Sequence, residues 1–332
     1  MRYNSLVYLR FLAIFFVVCC HFLPFYFGEH VCNLFGAVGN SLFFLLSALL
    51  IGKKWSEQDN STLGGGFLLH RIYKILPSYY LFLLFMFIAV YVCDHTFSVT
   101  ALAKHLLFLP WFGKINGFGH LWFITMIVFC YLLVALFSIV NKAMNDALLK
   151  RRIVLLPLTI VAVLIIQFLG AKRDLPTYPI AILGGFVLIF LFSDVFFVFK
   201  KRKCLFVAIF LTLVGISYFE FSTFLVEFKF LVFDFGMIFA FLLILLFLSY
   251  EEKMHSVNPE IQFIAMISFE IYLVHHFLCV GKYSIYRMFP NPFICTAVFL
   301  LITVICAFLL HTASNYIIKK ACFIRGNKIK QS

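Results

Sequence analysis

The chain has 332 residues, 64% of them hydrophobic and 12% charged, against roughly 45–50% apolar residues in ordinary soluble domains. That excess needs lipid to cover it, which excludes a soluble globular domain and predicts an all-α, polytopic membrane helix bundle. The net charge of +13 does not signal nucleic acid, because the basic residues sit in short segments between apolar runs, where they act as an orientation signal.

At about 20 apolar residues per span, ten transmembrane helices are predicted, near 6–27, 33–52, 75–93, 120–140, 153–169, 179–199, 204–219, 230–250, 261–280 and 293–316. Ten spans put both termini on one side. The segments on that side hold nineteen Lys and Arg residues, Arg10 aside, and the opposite segments hold seven, so both termini are expected in the cytoplasm. No loop is long enough for a soluble domain, so one transmembrane domain over 1–332 is expected, with no appended domain. The first run lacks a small-x-small cleavage site and reads as a retained helix rather than a signal peptide.

The first helix, "LVYLRFLAIFFVVCCHFLPF", carries Arg10 and His21 in an almost wholly apolar run. Eleven residues at 100° each bring them to about 20° past three full turns, on one helix face and about 16 Å apart along the axis. Arg10 is either a snorkelling end residue or part of an interior path, and His21 either a bonded core histidine or a functional one. Ser5, Ala13 and Val17 lie close to the same face, where small residues let a neighbouring helix or a ligand approach.

In the second helix Ser47 and Ala48 interrupt a bulky run, as packing positions do. "GGG" at 64–66 reads as a flexible break in the following loop. Arg71 and Lys74 are spaced i, i+3 at the entrance of the third helix, either as an orientation anchor or as a phosphate clamp, with Pro77 expected in the first turns. The stretch 101–112 is apolar beside Lys104 and His105 and suits an interfacial segment on the outer side. His120 and Trp122 open the fourth helix at headgroup level.

Glu220 and Glu227 read as outer-loop charges and Asp234 as an interior candidate. The ninth helix holds Glu270, Tyr272, His275 and His276, and no Gly or Pro interrupts it. A buried carboxylate needs a partner, and Arg10 or His21 could supply one. Ten cysteines form no CxxC pair and no zinc-like spacing, so no metal site is expected. Cys19, Cys20, Cys130, Cys279 and Cys306 read as small hydrophobes, while Cys32, Cys93 and Cys295 leave a disulfide open.

Five stretches in this order resemble the motifs of the membrane acyltransferase 3 family: "LRFLAIFFVVCCH" at 9–21, "GNSLFFLLSALL" at 39–50, "HRIYKILPSY" at 70–79, "HLWFI" at 120–124 and "SFEIYLVH" at 268–275. Ser41 and Ala48 stand where the family has Asp and Gly, and His70 and Lys74 replace two of three basic residues. The resemblance implies O-acyl transfer from a cytoplasmic acyl-CoA, often acetyl-CoA, to a carbohydrate hydroxyl. It implies roles for His21, Arg10 and Arg71, with Lys74 beside Arg71 at the donor site. Ser47, His120, Trp122, Tyr272 and His275 fall on further motif positions, and Glu270 is read as orienting His21.

No bound cofactor is expected; acyl-CoA is a substrate. The partners implied are the lipid bilayer and a carbohydrate acceptor, with no nucleic acid, in a bacterial inner membrane. Lipopolysaccharide, exopolysaccharide, capsule, a cell-wall glycan and a lipid-linked precursor all fit as acceptor. The competing class is a transporter or flippase of a lipid-linked glycan. A third reading, a haem-binding scaffold using His21 and His275, lacks an attachment motif.

Overall fold

The structure is a computed structural model, which describes residues 3–27, 29–57, 65–94, 98–112, 115, 118–143, 161, 165, 178–194, 232–281 and 284–331. The described residues form helices and no strand. In chain order these are α1 (Asn4–Phe22), α2 (Pro24–Phe27), α3 (Glu29–Glu57), α4 (Gly65–Asp94), α5 (Val99–Leu106) and α6 (Trp122–Ala143). They continue with α7 (Tyr178–Leu191), α8 (Val232–Ser249), α9 (Pro259–Met266), α10 (Ser268–Cys279) and α11 (Pro292–Gln331). Among the described residues six helices are long and apolar enough to cross a bilayer, or seven if α9 and α10 count as one broken span. The all-α polytopic bundle read from the sequence is the fold observed. Apart from residues 161 and 165, the helices expected at 153–169 and 204–219, with Glu220 and Glu227, lie outside the described residues.

Four local expectations are corrected. The first helix stops at Leu23 rather than 27, because Pro24 follows and starts a separate turn. Gly65 and Gly66 open α4 instead of forming a flexible break. Pro77 therefore lies in the helix interior rather than its first turns, and its missing N–H leaves the Tyr73 carbonyl without its i+4 donor. The expected ninth helix is also not continuous. It breaks at Ile267 (φ −93°, ψ 12°) without help from Gly or Pro.

The chain divides into two compact units, Met1–Phe67 with Phe129–Met266, and Leu68–Val128 with Ile267–Ser332. In the first unit α3 packs against α1, α7 and α8, and α1 also packs against α9. Helix association in lipid depends on close van der Waals approach rather than on a hydrophobic drive, so small residues mark the contacts. A methyl group on Gly39 of α3 would sit 2.7 Å from the Ala13 carbonyl oxygen and 2.9 Å from the Val17 nitrogen of α1. One on Gly236 of α8 would sit 2.8 Å from the Ala37 carbonyl carbon. Gly52 meets the Phe190 carbonyl in the same way. Close to it Trp55 is buried, with its ring stacked 4.9 Å from that of Phe190.

The N-terminus of α1 has no side-chain cap of its own. Glu251, just after α8, supplies one: its two carboxylate oxygens accept the main-chain N–H groups of Asn4 and Ser5, each at 2.8 Å. A carboxylate is favoured there by the unsatisfied donors and the positive end of the helix dipole.

In the second unit the Tyr79 and Tyr80 hydroxyls of α4 donate to the carbonyls of His105 and Leu106 at 2.8 and 2.9 Å, holding the end of α5. α5 takes in the start of the 101–112 stretch, and Ser98 caps it by accepting the Ala101 N–H. α10 turns into the segment before α11 at Gly281, whose φ of 95° suits a residue without a Cβ. α11 keeps an apolar, largely exposed surface, with Leu301 and Leu309 about 60% accessible, as a lipid-facing helix requires.

Candidate functional site

In α10, Glu270 lies about 140° to 240° around the helix from Tyr272, His275 and His276 at 100° per residue. One short apolar helix therefore carries two polar groups on different faces, and the second unit gives each its own partners.

On the first face Glu270 is buried. Ser78 of α4 donates to Glu270 Oε1 at 2.7 Å, and the Nδ1 of His311 in α11 lies 3.3 Å from the same oxygen, an ion-pair distance. Ser78 Oγ is also 2.9 Å from Ser314 Oγ. The Asn315 side-chain nitrogen is 2.8 Å from His311 Nε2. A carboxylate in a bilayer is costly unless paired and hydrogen-bonded, and these groups supply that pairing. The partners expected for Glu270 were Arg10 or His21; those observed are Ser78 and His311.

The second face of α10 meets the start of α6. The Tyr272 hydroxyl donates to the His120 carbonyl at 2.6 Å. His120 Nε2 is 3.0 Å from the Leu273 carbonyl, and its ring stacks on His276 at 4.6 Å. His275 Nδ1 is 2.8 Å from the Tyr272 carbonyl and 3.1 Å from that of Ile271. A carbonyl only accepts, so His120 carries a proton on Nε2 and His275 one on Nδ1. His120 and His275 are buried. Trp122 is half-buried at the head of α6. Among the described residues no three His, Cys, Asp or Glu side chains are grouped to hold a metal.

Arg71, Lys74 and Ser78 share one face of α4, since seven residues return the helix to within about 20°. Along that face Arg71 is half-buried, Lys74 exposed and Ser78 buried. Arg71 thus lies about 10 Å and Lys74 about 6 Å along the axis from Ser78 in the Glu270 network, at 1.5 Å per residue.

Arg10, His21 and Ser47 belong to the first unit. Arg10 is exposed, and His21 and Ser47 are half-buried. Between Arg10 and His21 the shared face is filled: Ala13 and Val17 are buried against α3 at Gly39. The small residues there admit a helix. Asp234, in the first turn of α8, is half-buried. Cys295 is a free, buried thiol.

His311, Ser78 and Asn315 are the residues that sequence reasoning missed. "HTASN" at 311–315 puts His311, Ser314 and Asn315 at i, i+3 and i+4 in an apolar helix. The same spacing rule that picked out Tyr272, His275 and His276 would have found them.

A helical chain with at least six bilayer-length apolar helices and a paired carboxylate inside one of its units is a multi-pass membrane protein. The acyltransferase domain family (acyltransferase 3) matches residues 3–312, so the chain belongs to that family and is an integral membrane acyltransferase. No curated protein and no solved structure gives a significant match.

Proposed function

We propose that this protein is an O-acyltransferase that moves an acetyl or other short acyl group from cytoplasmic acyl-CoA to a hydroxyl of a cell-surface polysaccharide or its lipid-linked precursor, such as lipopolysaccharide or exopolysaccharide, in a bacterial inner membrane. The observation that carries the reading is the family match across 3–312, which spans all five motifs.

In this reading Arg71 and Lys74 bind the CoA phosphates, the guanidinium as a bidentate fork and the ammonium as a point charge. Arg10 lines the route of the acyl donor. His21 takes the proton of the acceptor hydroxyl as its oxygen attacks the thioester carbonyl. The C–S bond then breaks, the electron pair leaves on sulfur, and the proton from the hydroxyl ends on the CoA thiol. Covalent acylation of His21, followed by transfer to the sugar, is the variant mechanism.

The break at Ile267 favours a second reading, a transporter or flippase of a lipid-linked glycan, because interrupted helices are common at transport sites. One experiment separates the two. Membranes containing the protein or its His21→Ala variant receive acyl-labelled acetyl-CoA, and label is followed into glycan and into protein. Glycan label that requires His21 supports the transferase, and label that chases from protein to glycan supports the acyl-histidine variant. Glycan movement that needs no acyl donor supports the transporter.

A further inference from the structure

We propose that Asn40 is a donor-binding residue, whose side-chain oxygen accepts a hydrogen bond from an amide N–H in the pantetheine arm of acyl-CoA. The inference rests on the reading above that the donor passes Arg10 on its way to His21, and it adds a residue to which that reading gives no role.

The position comes from the packing of α1 on α3 within the first unit. The two helices run antiparallel: a Cβ on Gly36 would meet Cys20, and one on Gly39 would meet Val17 and Ala13. Each step along α3 is thus a step back along α1, and the Lys53 amine, 4.0 Å from the Tyr3 ring centroid, keeps the same register. Arg10 then falls level with roughly residue 45 of α3 and His21 with roughly residue 34, at equal rise per residue. Asn40 stands between them, about 8 Å along the axis from the level of Arg10 and about 9 Å from that of His21.

All three also lie on one side of the seam. At 100° per residue, Arg10 and His21 fall about 50–70° past the centre of Ala13, Val17 and Cys20 on α1, and Asn40 falls about 70° past the centre of Gly36 and Gly39 on α3. In an antiparallel pair, turns of the same sense from the seam lead to the same side. Phe16 and Phe35 fall about 70° the other way, and their rings meet on that other side with centroids 5.6 Å apart. Ser47 and Lys54 continue the side of Asn40 along α3, the first half-buried and the second exposed.

Asn40 is 8% exposed. Its Nδ2 donates to the Gly36 carbonyl at 2.8 Å, and Oδ1, the other end of the amide, is buried and accepts no hydrogen bond. A buried acceptor without a donor is costly, and a ligand that brings an N–H relieves the cost on binding. The pantetheine arm carries two amides. At about 1.2 Å of advance per bond in an extended chain, the nearer amide nitrogen lies about 5 Å from the thioester carbon and the farther about 10 Å. With the thioester level with His21, the farther amide falls level with Asn40, and its N–H donates to Oδ1. No bond is made or broken there. The contact holds the arm at the depth that brings the thioester to His21.

The test pairs one side-chain change with one donor change in the acyl-transfer assay, on purified, monodisperse protein. Asn40→Leu keeps much of the volume and removes the acceptor. The second donor is an acetyl-CoA analogue in which an ester oxygen replaces the N–H of the farther amide. The unsubstituted protein is expected to show a KM about 10-fold higher for the analogue than for acetyl-CoA, with kcat little changed. Asn40→Leu is expected to raise KM for acetyl-CoA about 10-fold and to treat the two donors alike. Asn40→Ala, which also lacks the acceptor, is expected to give the same equality and serves if the leucine does not pack.

Equal KM values for the two donors in the unsubstituted protein overturn the inference without recourse to any variant. So does a variant that still prefers acetyl-CoA by the full factor, because damage to packing alone raises KM for both donors and leaves their ratio unchanged. Either result, obtained with a protein that transfers acyl groups, leaves the transferase reading standing. If the unsubstituted protein transfers nothing from any acyl thioester, the transferase reading fails and takes this inference with it.

Discussion

The Tyr272 hydroxyl donates to the main-chain carbonyl of His120 at 2.6 Å and so joins two motifs that lie 152 residues apart. The bond fixes the 3₁₀ turn at Gly119–Leu121 against α10, where the His120 ring also stacks on His276. Tyr272→Phe removes only the hydroxyl and leaves a buried carbonyl with one donor fewer. A loss of about 1–3 kcal/mol in stability is expected. Thermal unfolding of the purified protein in detergent measures it, and an unchanged midpoint would show the bond to be idle.

Gly39 has no room for a side chain. A Cβ there would press on the main chain of α1, at the Ala13 oxygen and the Val17 nitrogen, and main chain cannot swing aside as a side-chain tip can. Gly39→Ala is expected to destabilise the first unit by about 1–3 kcal/mol. The same substitution at Gly119, which has nothing within 4 Å, is the control and should be near neutral by comparison. Unfolding midpoints of the two variants, side by side, decide the point.

His105 lies in α5, outside the spans, and is buried. Burial lowers its pKa from the ordinary 6.5, with the hydrogen bond to the Ala101 carbonyl opposing that shift. Charging the ring would add a proton at Nε2, which has no partner. Below the ordinary value the unfolded chain therefore binds more protons than the folded one. Stability from this residue is complete above about pH 6.5 and declines as pH falls from there toward the lower folded value. His105→Gln should flatten that part of the stability–pH curve. A curve of unchanged slope in the variant would assign the effect to another group.

Arg71 is expected to act on donor affinity more than on turnover. If its guanidinium holds a CoA phosphate, Arg71→Ala removes a charge-assisted hydrogen bond of about 1.5–3 kcal/mol. That corresponds to a rise of roughly 10- to 100-fold in KM for acyl-CoA, with kcat little changed. Steady-state kinetics over a range of donor concentration read it directly. A fall in kcat at constant KM would move Arg71 from the donor phosphates to the reacting centre.

What the amino-acid sequence determines here is what local pattern can carry. The excess of apolar residues requires lipid, and the length of each run sets where a helix can cross it. Five motifs in order identify the acyltransferase family. Spacing at 100° per residue puts Arg10 with His21, and Tyr272 with His275 and His276, because those faces depend only on the geometry of one helix.

The tertiary structure decides what lies opposite each face. Glu270 needed a partner, and its residue type said so, yet Ser78 is 192 residues away in the chain. His311 lies in a helix whose apolar run drew no attention to it. Gly39 looks like any glycine until the Ala13 carbonyl is placed against it. The break at Ile267 carries neither Gly nor Pro, the usual local marks of an interrupted helix. For Glu270, His311 and Gly39 the deciding contact joins two different helices, and packing in three dimensions, which no local period encodes, selects it.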